Sequence, residues 1–346
     1  MNSIRGKRSV VLIALGLCLV LCITLAASQG SVTISPDTVA AIIASRVMRL
    51  SSTPIWKAAE EAIIWDIRLP RVLTAVIVGA ALSVAGVIFQ GLLRNPMADP
   101  YIIGTSGGAA LGATIAMLLP VGRTWLGFTP IPVFAFTGAL LAVLAVYNIA
   151  RVGPATPITT LLLSGFALSS MMAALMSFLM LLSGDALRKV VLWTMGGVST
   201  AGWVPLTIVI PLVMLGMLMA YGMARDLNAF LLGEEQAAYL GVRVEQRKLA
   251  LLMVGSLLTG AAVSVSGLVG FVGLVVPHAA RLILGPDHRL LLPASALLGG
   301  SFLVLADLIA RMLLSPTELP VGVVTAMMGA PFFIYLLRRS KKEYNF

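Results

Sequence analysis

Few residues in this 346-residue chain could make or break bonds, and their spacing excludes most such chemistry. His278 and His288 are the only histidines. Two imidazoles with no third donor make a poor metal site, because zinc takes three or four protein ligands. Cys18 and Cys22 both fall in one apolar run, and no second pair stands at ligand spacing. Free cysteine there packs as a small apolar residue. Asp307 is the most deeply placed acid in an apolar stretch, which makes it a functional candidate such as a proton site. Arg311 lies four residues on, one helical turn away, and can pair with it. Near the end of its segment, the pair reads as structural, with Asp307 orienting Arg311. No Ser/His/Asp set, paired aspartates or histidine-rich cluster occurs within the apolar runs, and there is no G-x-x-x-x-G-K-[ST] loop to cradle a nucleotide. No catalytic residue, metal site or bound cofactor is expected.

The elements that would position these residues are membrane helices. The chain is 59% hydrophobic and 11% charged, whereas soluble domains carry about a quarter charged residues. A span of the hydrocarbon core takes about 20 apolar residues. The runs here are continuous rather than alternating, and backbone groups in lipid must be paired, so they are helices. The expected segments are 10–29, 70–91, 101–119, 131–150, 158–182, 203–224, 248–267, 270–284, 291–312 and 320–337. The fold class is therefore all-α, a polytopic membrane protein of about ten helices forming one domain over 1–346. The eighth segment is short, which points to shielding by protein rather than lipid. The start imitates a signal peptide, with Arg5, Lys7 and Arg8 before an apolar run from Val10 to Ala27. Its length and the spans that follow make it a retained first helix.

A net charge of +10 would suggest nucleic acid in a soluble protein. Here the basic residues lie between apolar runs, so membrane topology explains them and no nucleic-acid partner is expected. With both termini in the cytoplasm, 15 Lys and Arg fall on the inner side and 9 on the outer. Among the outer ones, Arg68, Arg71 and Arg311 sit at helix ends and need another reason.

Residues 79–87 read GAALSVAGV and residues 260–268 read GAAVSVSGL, an offset of 181 that also carries Pro96 onto Pro277 and Gly104 onto Gly285. The copies fall on oppositely directed spans, the signature of an inverted repeat in transporters. Two small-residue faces that both need close packing would look similar. The longest inner loop, about 225–248, reads RDLNAFLLGEEQAAYLGVRVEQRK. Gly233 and Gly241 bracket a stretch that can be helical, and its mixed charge favours a soluble protein partner over a lipid surface.

Several long segments together resemble the FecCD family of importer permeases: IRLPRVLTAVIVGAALSVAGVIFQGLLRNPMADPYIIGTSGGAALGA (67–113), LLGEEQAAYLGV (231–242), GLVGFVGLVVPHAARLILGPDHRLLLPASALLGG (267–300), LADLIARM (305–312) and ELPVGVVTAMMGAPFFIYLL (318–337). The resemblance implies a permease of an ATP-binding-cassette importer in the bacterial cytoplasmic (inner) membrane. It implies a second permease copy or a paired homologue, two cytoplasmic ATPase subunits, an external substrate-binding protein and a lipid surround. Of the family's cargoes, iron(III)-siderophore is the expected one, with vitamin B12 (cobalamin) and haem as alternatives. By the match, Leu232, Gly233, Glu234, Ala237, Leu240 and Gly241 couple to the ATPase. Arg68, Arg71 and Arg311 would receive acidic residues of the binding protein, though a lone arginine there could simply snorkel. Thr156, Thr159 and Thr160 fall at the family's cytoplasmic gate, and Met172, Met176, Met327 and Met328 on its path-lining helices. Methionine suits a surface that passes a bulky guest, and equally fills cores. An ion-coupled carrier would also explain an inverted repeat, but it needs ionisable residues near the midplane, which this chain almost lacks.

Overall fold

The computed structural model describes residues 2–48, 56–119 and 129–340. Arg49, Arg123, Lys341 and Lys342, which enter the charge bias, lie outside them. The helices in chain order are α1 (Asn2–Ser28), α2 (Pro36–Met48), α3 (Ala58–Ala62), α4 (Leu69–Leu92), α5 (Thr105–Leu118), α6 (Ile131–Ala150) and α7 (Ile158–Leu181), then α8 (Leu187–Thr194), α9 (Trp203–Gly222), α10 (Ala224–Phe230), α11 (Glu234–Tyr239), α12 (Val244–Ser266), α13 (Val272–Leu284), α14 (His288–Met312) and α15 (Val321–Ser340). Among the described residues seven helical stretches are long and apolar enough to cross a membrane, and α5, α13 and α15 are shorter apolar helices. These ten coincide with the ten expected segments.

The second span departs from expectation at its start. Helix runs unbroken from Ala58 to Leu92, because α3 passes into α4 through a π-helical stretch, Ile63–Arg68. Pro70 is the cause we assign. It has no N–H and its ring crowds the carbonyl four residues back, so the turn before it widens and the Leu69 N–H reaches the Ile64 carbonyl, five back. Arg68 and Arg71 therefore sit inside a helix, not ahead of one.

Helix α4 is the axis of the fold. It packs on α14, α12, α13 and α9 and is buried along almost its whole length. Two backbone-to-backbone crossings allow this. A methyl group on Gly79 would collide with the Gly299 carbonyl of α14, and one on Gly86 with the Gly273 carbonyl of α13. Lipid gives no hydrophobic drive between helices, so such small-residue approaches supply the dispersion contact that holds them. Beyond the glycine faces, the offset of 181 does not carry like onto like: Pro96 sits in a turn and Pro277 inside α13, while Gly104 begins α5 and Gly285 ends α13. The eighth segment, α13, buries Val272, Gly273, Leu274, Val276, Pro277 and Ala280 against its neighbours, while Leu282 and Ile283 at its end are exposed.

The crossings generate a paired test. Gly86→Ala should lower the thermal midpoint in detergent, because overpacking costs about 1–3 kcal/mol. Gly16→Ala, in the open interior of α1, should leave the midpoint unchanged or raise it slightly, by up to about 1 kcal/mol.

Candidate functional site

One end of the bundle carries the 225–248 loop. After α10 the chain turns at Gly233, whose φ of 111° suits glycine, and α11 follows. It closes at Gly241, φ 84°, after which α12 begins. Ala237 is buried and accepts from the Val242 N–H at 3.0 Å, which folds α11 back on its own loop. Leu232 and Leu240 are exposed, and Tyr239, which sequence reasoning did not select, is 90% exposed. Beside them Arg225, Asp226, Leu240, Arg243 and Arg247 line a cleft of about 400 Å³. Asp226 pairs with Arg247 across its wall at 3.3 Å.

Glu234 turns inward. Its carboxylate lies 3.0 Å from Lys248 Nζ, and Lys248 is 1% exposed. The same ammonium donates to Glu245 Oε1 at 3.0 Å and to the Thr156 carbonyl at 2.9 Å, using all three donors. Glu245 Oε2 in turn accepts from the Thr156 N–H at 3.1 Å. Thr156 is buried, Thr159 is exposed, and Thr160 Oγ1 donates to the Ala150 and Pro157 carbonyls. The three candidate gate threonines thus stand at the foot of α7 next to a charge cluster that Lys248 organises. Nothing in the spacing of Lys248 singled it out from the loop's other basic residues.

The opposite end gathers Arg68, Arg71 and Arg311. Their expected outward presentation is not what the structure has, since all three are buried and spent on internal partners. Arg71 donates from Nε and Nη2 to Asp307, at 3.0 and 2.8 Å, and from Nη1 to Glu318 at 2.8 Å. Arg311 Nε lies 3.1 Å from Asp307 Oδ2, the pair expected from spacing, and Nη2 donates to the Ala26 carbonyl at 2.9 Å. Arg68 donates to the carbonyls of Ala27, Ser28 and Val32. The physical reason is desolvation. A guanidinium inside helix packing must find acceptors there, and the carbonyls at the end of α1 and the two carboxylates supply them. Asp307 is 1% exposed and serves two arginines, whereas Glu318 is 42% exposed.

Helix α7 buries only Leu161 and Gly165. Met172 leans toward α5, its Sδ 3.5 Å from where a Gly107 side chain would begin, and Met176 is half-buried. The uncovered side of α7 instead carries Leu163, Phe166, Met171, Leu175 and Phe178. On α15, Met327 and Met328 are exposed. His288 Nδ1 lies 2.7 Å from Asn228 Oδ1, whereas its Nε2 and the Nδ1 of His278 are buried without a hydrogen-bond partner among the described residues. Among the described residues no three His, Cys, Asp or Glu side chains are grouped to hold a metal.

A bundle of long apolar helices with small-residue crossings and a short exposed loop helix is the architecture of a polytopic membrane protein. The FecCD transport family model matches residues 18–339, and the chain belongs to that family. It is 49% identical to the cobalamin import system permease of Halobacterium salinarum, over 80% of this chain and 74% of that one. It is 42% identical to the hemin transport system permease of Yersinia pestis, over 86% and 90%. Among solved structures, an inward-facing putative metal-chelate type ABC transporter superposes with a TM-score of 0.79 at 31% identity, covering 95% of this chain and 98% of that one.

The buried cluster predicts unequal costs. Asp307→Ala leaves two guanidiniums buried without their shared carboxylate and should cost about 3–5 kcal/mol. Glu318→Gln, at the exposed edge, should cost at most about 1 kcal/mol. Chemical or thermal unfolding of the two variants in detergent measures the difference.

Proposed function

We propose that this chain is the membrane subunit of an ABC importer that moves a metal chelate, an iron(III)-siderophore, into the cytoplasm across the bacterial inner membrane. It works as a pair of permease copies, or with a paired homologue. The 225–248 loop faces the cytoplasm with both termini, and two ATPase subunits dock there, carrying the ATP and Mg. An external binding protein delivers cargo at the Asp307 end. The observation that carries the reading is α11: a short helix pinned to the bundle by Ala237 and Glu234 while Leu232, Tyr239 and Leu240 stand bare. Exposed apolar and aromatic side chains on a rigid element are what a soluble partner's cleft grips. The charge bias of 15 to 9 supports the orientation. The apolar side of α7 and exposed Met327 and Met328 suit a partner copy and a path for a bulky guest. Docking through Arg71 would require a partner carboxylate to displace Glu318, the exposed member of its pair of acids.

The cargo has a second reading. The Halobacterium salinarum relative is a cobalamin permease, which favours cobalamin, whereas an Escherichia coli relative 39% identical is an Fe(3+) dicitrate permease. Uptake into proteoliposomes of an iron(III) hydroxamate, cyanocobalamin and haemin, each with its binding protein, separates them. Movement of none of the three would remove the chelate assignment.

The coupling surface gives a further expectation. Tyr239→Ala with Leu240→Ala should cut association with the ATPase subunits, each lost anchor being worth about 1–2 kcal/mol or more. The fold should stay intact, because neither side chain packs inside. Reduced pull-down of ATPase with an unchanged thermal midpoint is the expected result, and undiminished association would remove α11 from the interface.

A further inference from the structure

Lys248 has no part in the reading from sequence and no role in the family match, yet it is the most deeply buried lysine among the described residues. Burying an ammonium is costly unless every proton finds an acceptor, and a cluster so satisfied holds its members in one geometry. The three acceptors come from three different places in the chain. Glu234 is the first residue of α11, Glu245 lies in the first turn of α12, and Thr156 is in the turn that leads into α7. Glu245 closes the figure by bonding Lys248 with one oxygen and the Thr156 N–H with the other. The element with the bare side chains is therefore tied, through one ammonium, to the foot of a helix that is otherwise thinly packed.

We infer that Lys248 is a positioning residue for energy coupling: it pins α11 to the Thr156 turn so that displacement of the coupling helix moves the base of α7. This rests on the proposed function in taking α11 as the surface the ATPase grips. The pin has the properties a transmission element needs. It is short, with every bond between 2.9 and 3.1 Å. Its ammonium is buried, so salt loosens it less than it would an exposed pair. It also joins the two elements without passing through the apolar core, which deforms little.

The test places spin labels at Glu235 on α11 and Thr159 at the start of α7, both exposed, in a background lacking Cys18 and Cys22. The permease is assembled with its ATPase subunits in liposomes. With Lys248 in place, the 235–159 distance should be single and the same with and without ATP. In Lys248→Met it should change on ATP addition, because α11 then moves without α7. In the unlabelled variant, ATP hydrolysis should persist while uptake per ATP falls about fivefold or more. Lys248→Arg, which keeps the charge, should recover part of the loss. A nucleotide-independent distance in Lys248→Met, or wild-type uptake per ATP, overturns the inference, and so does a nucleotide-dependent distance in the unmutated protein. If Lys248→Met fails to assemble, Glu234→Ala, which removes the acceptor that α11 offers Lys248, is read by the same criteria. If no ATPase subunit binds the unmutated chain, it is the proposed function that falls. The inference is then decided in the isolated permease, where Lys248→Met must broaden the 235–159 distribution or the pin is rejected.

Discussion

Backbone contact between α4 and its neighbours is the constraint on which the rest of this molecule depends. Lipid removes the usual reason for apolar faces to seek one another, so α4 must gain its packing from close approach. Gly79 against Gly299 and Gly86 against Gly273 fix where α14 and α13 cross it, and those crossings fix what each end of the bundle brings together. Arg71 of α4 meets Asp307 of α14 two turns from the first crossing, on a path the glycines set. At the other end, α13 and α14 lead His288 against α4 near Gly91 and the 225–248 loop beneath them.

The two buried charge clusters answer the same electrostatic problem in different ways. Around Asp307, one carboxylate serves two guanidiniums, and the remaining positive charge is met by carbonyls at the end of α1 and by Glu318. Around Lys248 the ratio is reversed, with two carboxylates and a carbonyl around one ammonium. Each cluster joins segments far apart in the chain and concentrates near one end of the bundle, leaving the middle of the apolar helices almost free of charge. Midplane ionisable groups of the kind an ion-coupled carrier uses are scarce among the described residues.

What could be read from the residues follows the range of the interactions involved. The ten apolar segments were legible because hydropathy is local, and so was α11, because glycines at both ends announce a short helix. The Asp307–Arg311 pair was legible as an i,i+4 contact. Arg71 with Asp307 was not, because a separation of 236 residues leaves no trace in spacing. The same blindness turned three inward-facing arginines into expected surface handles, and it hid Lys248, whose acceptors include a carboxylate contributed by α11 and a carbonyl from a different loop. The π-helical stretch before Pro70 was legible in principle, since a proline inside a helical run must disturb the turn before it. Its effect, drawing Arg68 toward α1, depends on where α1 ends.

The unbroken helix from Ala58 to Leu92 has a further consequence, in the depth of the Asp307 cluster. At about 1.5 Å per residue its 35 residues run about 50 Å, well beyond a hydrocarbon core of about 30 Å. Trp65 on this helix stacks against Trp203, ring centroids 5.1 Å apart, and tryptophan is the residue that settles at the lipid–water boundary. Six residues on, about 9 Å deeper along the axis, stands Arg71. The exposed Arg46–Glu61 pair above the tryptophans is bathed in electrolyte and loses its attraction as salt rises. Asp307, Arg71 and Arg311 below them are buried, so their charges keep their grip in fresh water and in brine alike, and salt reaches the cluster only at Glu318 on its exposed edge.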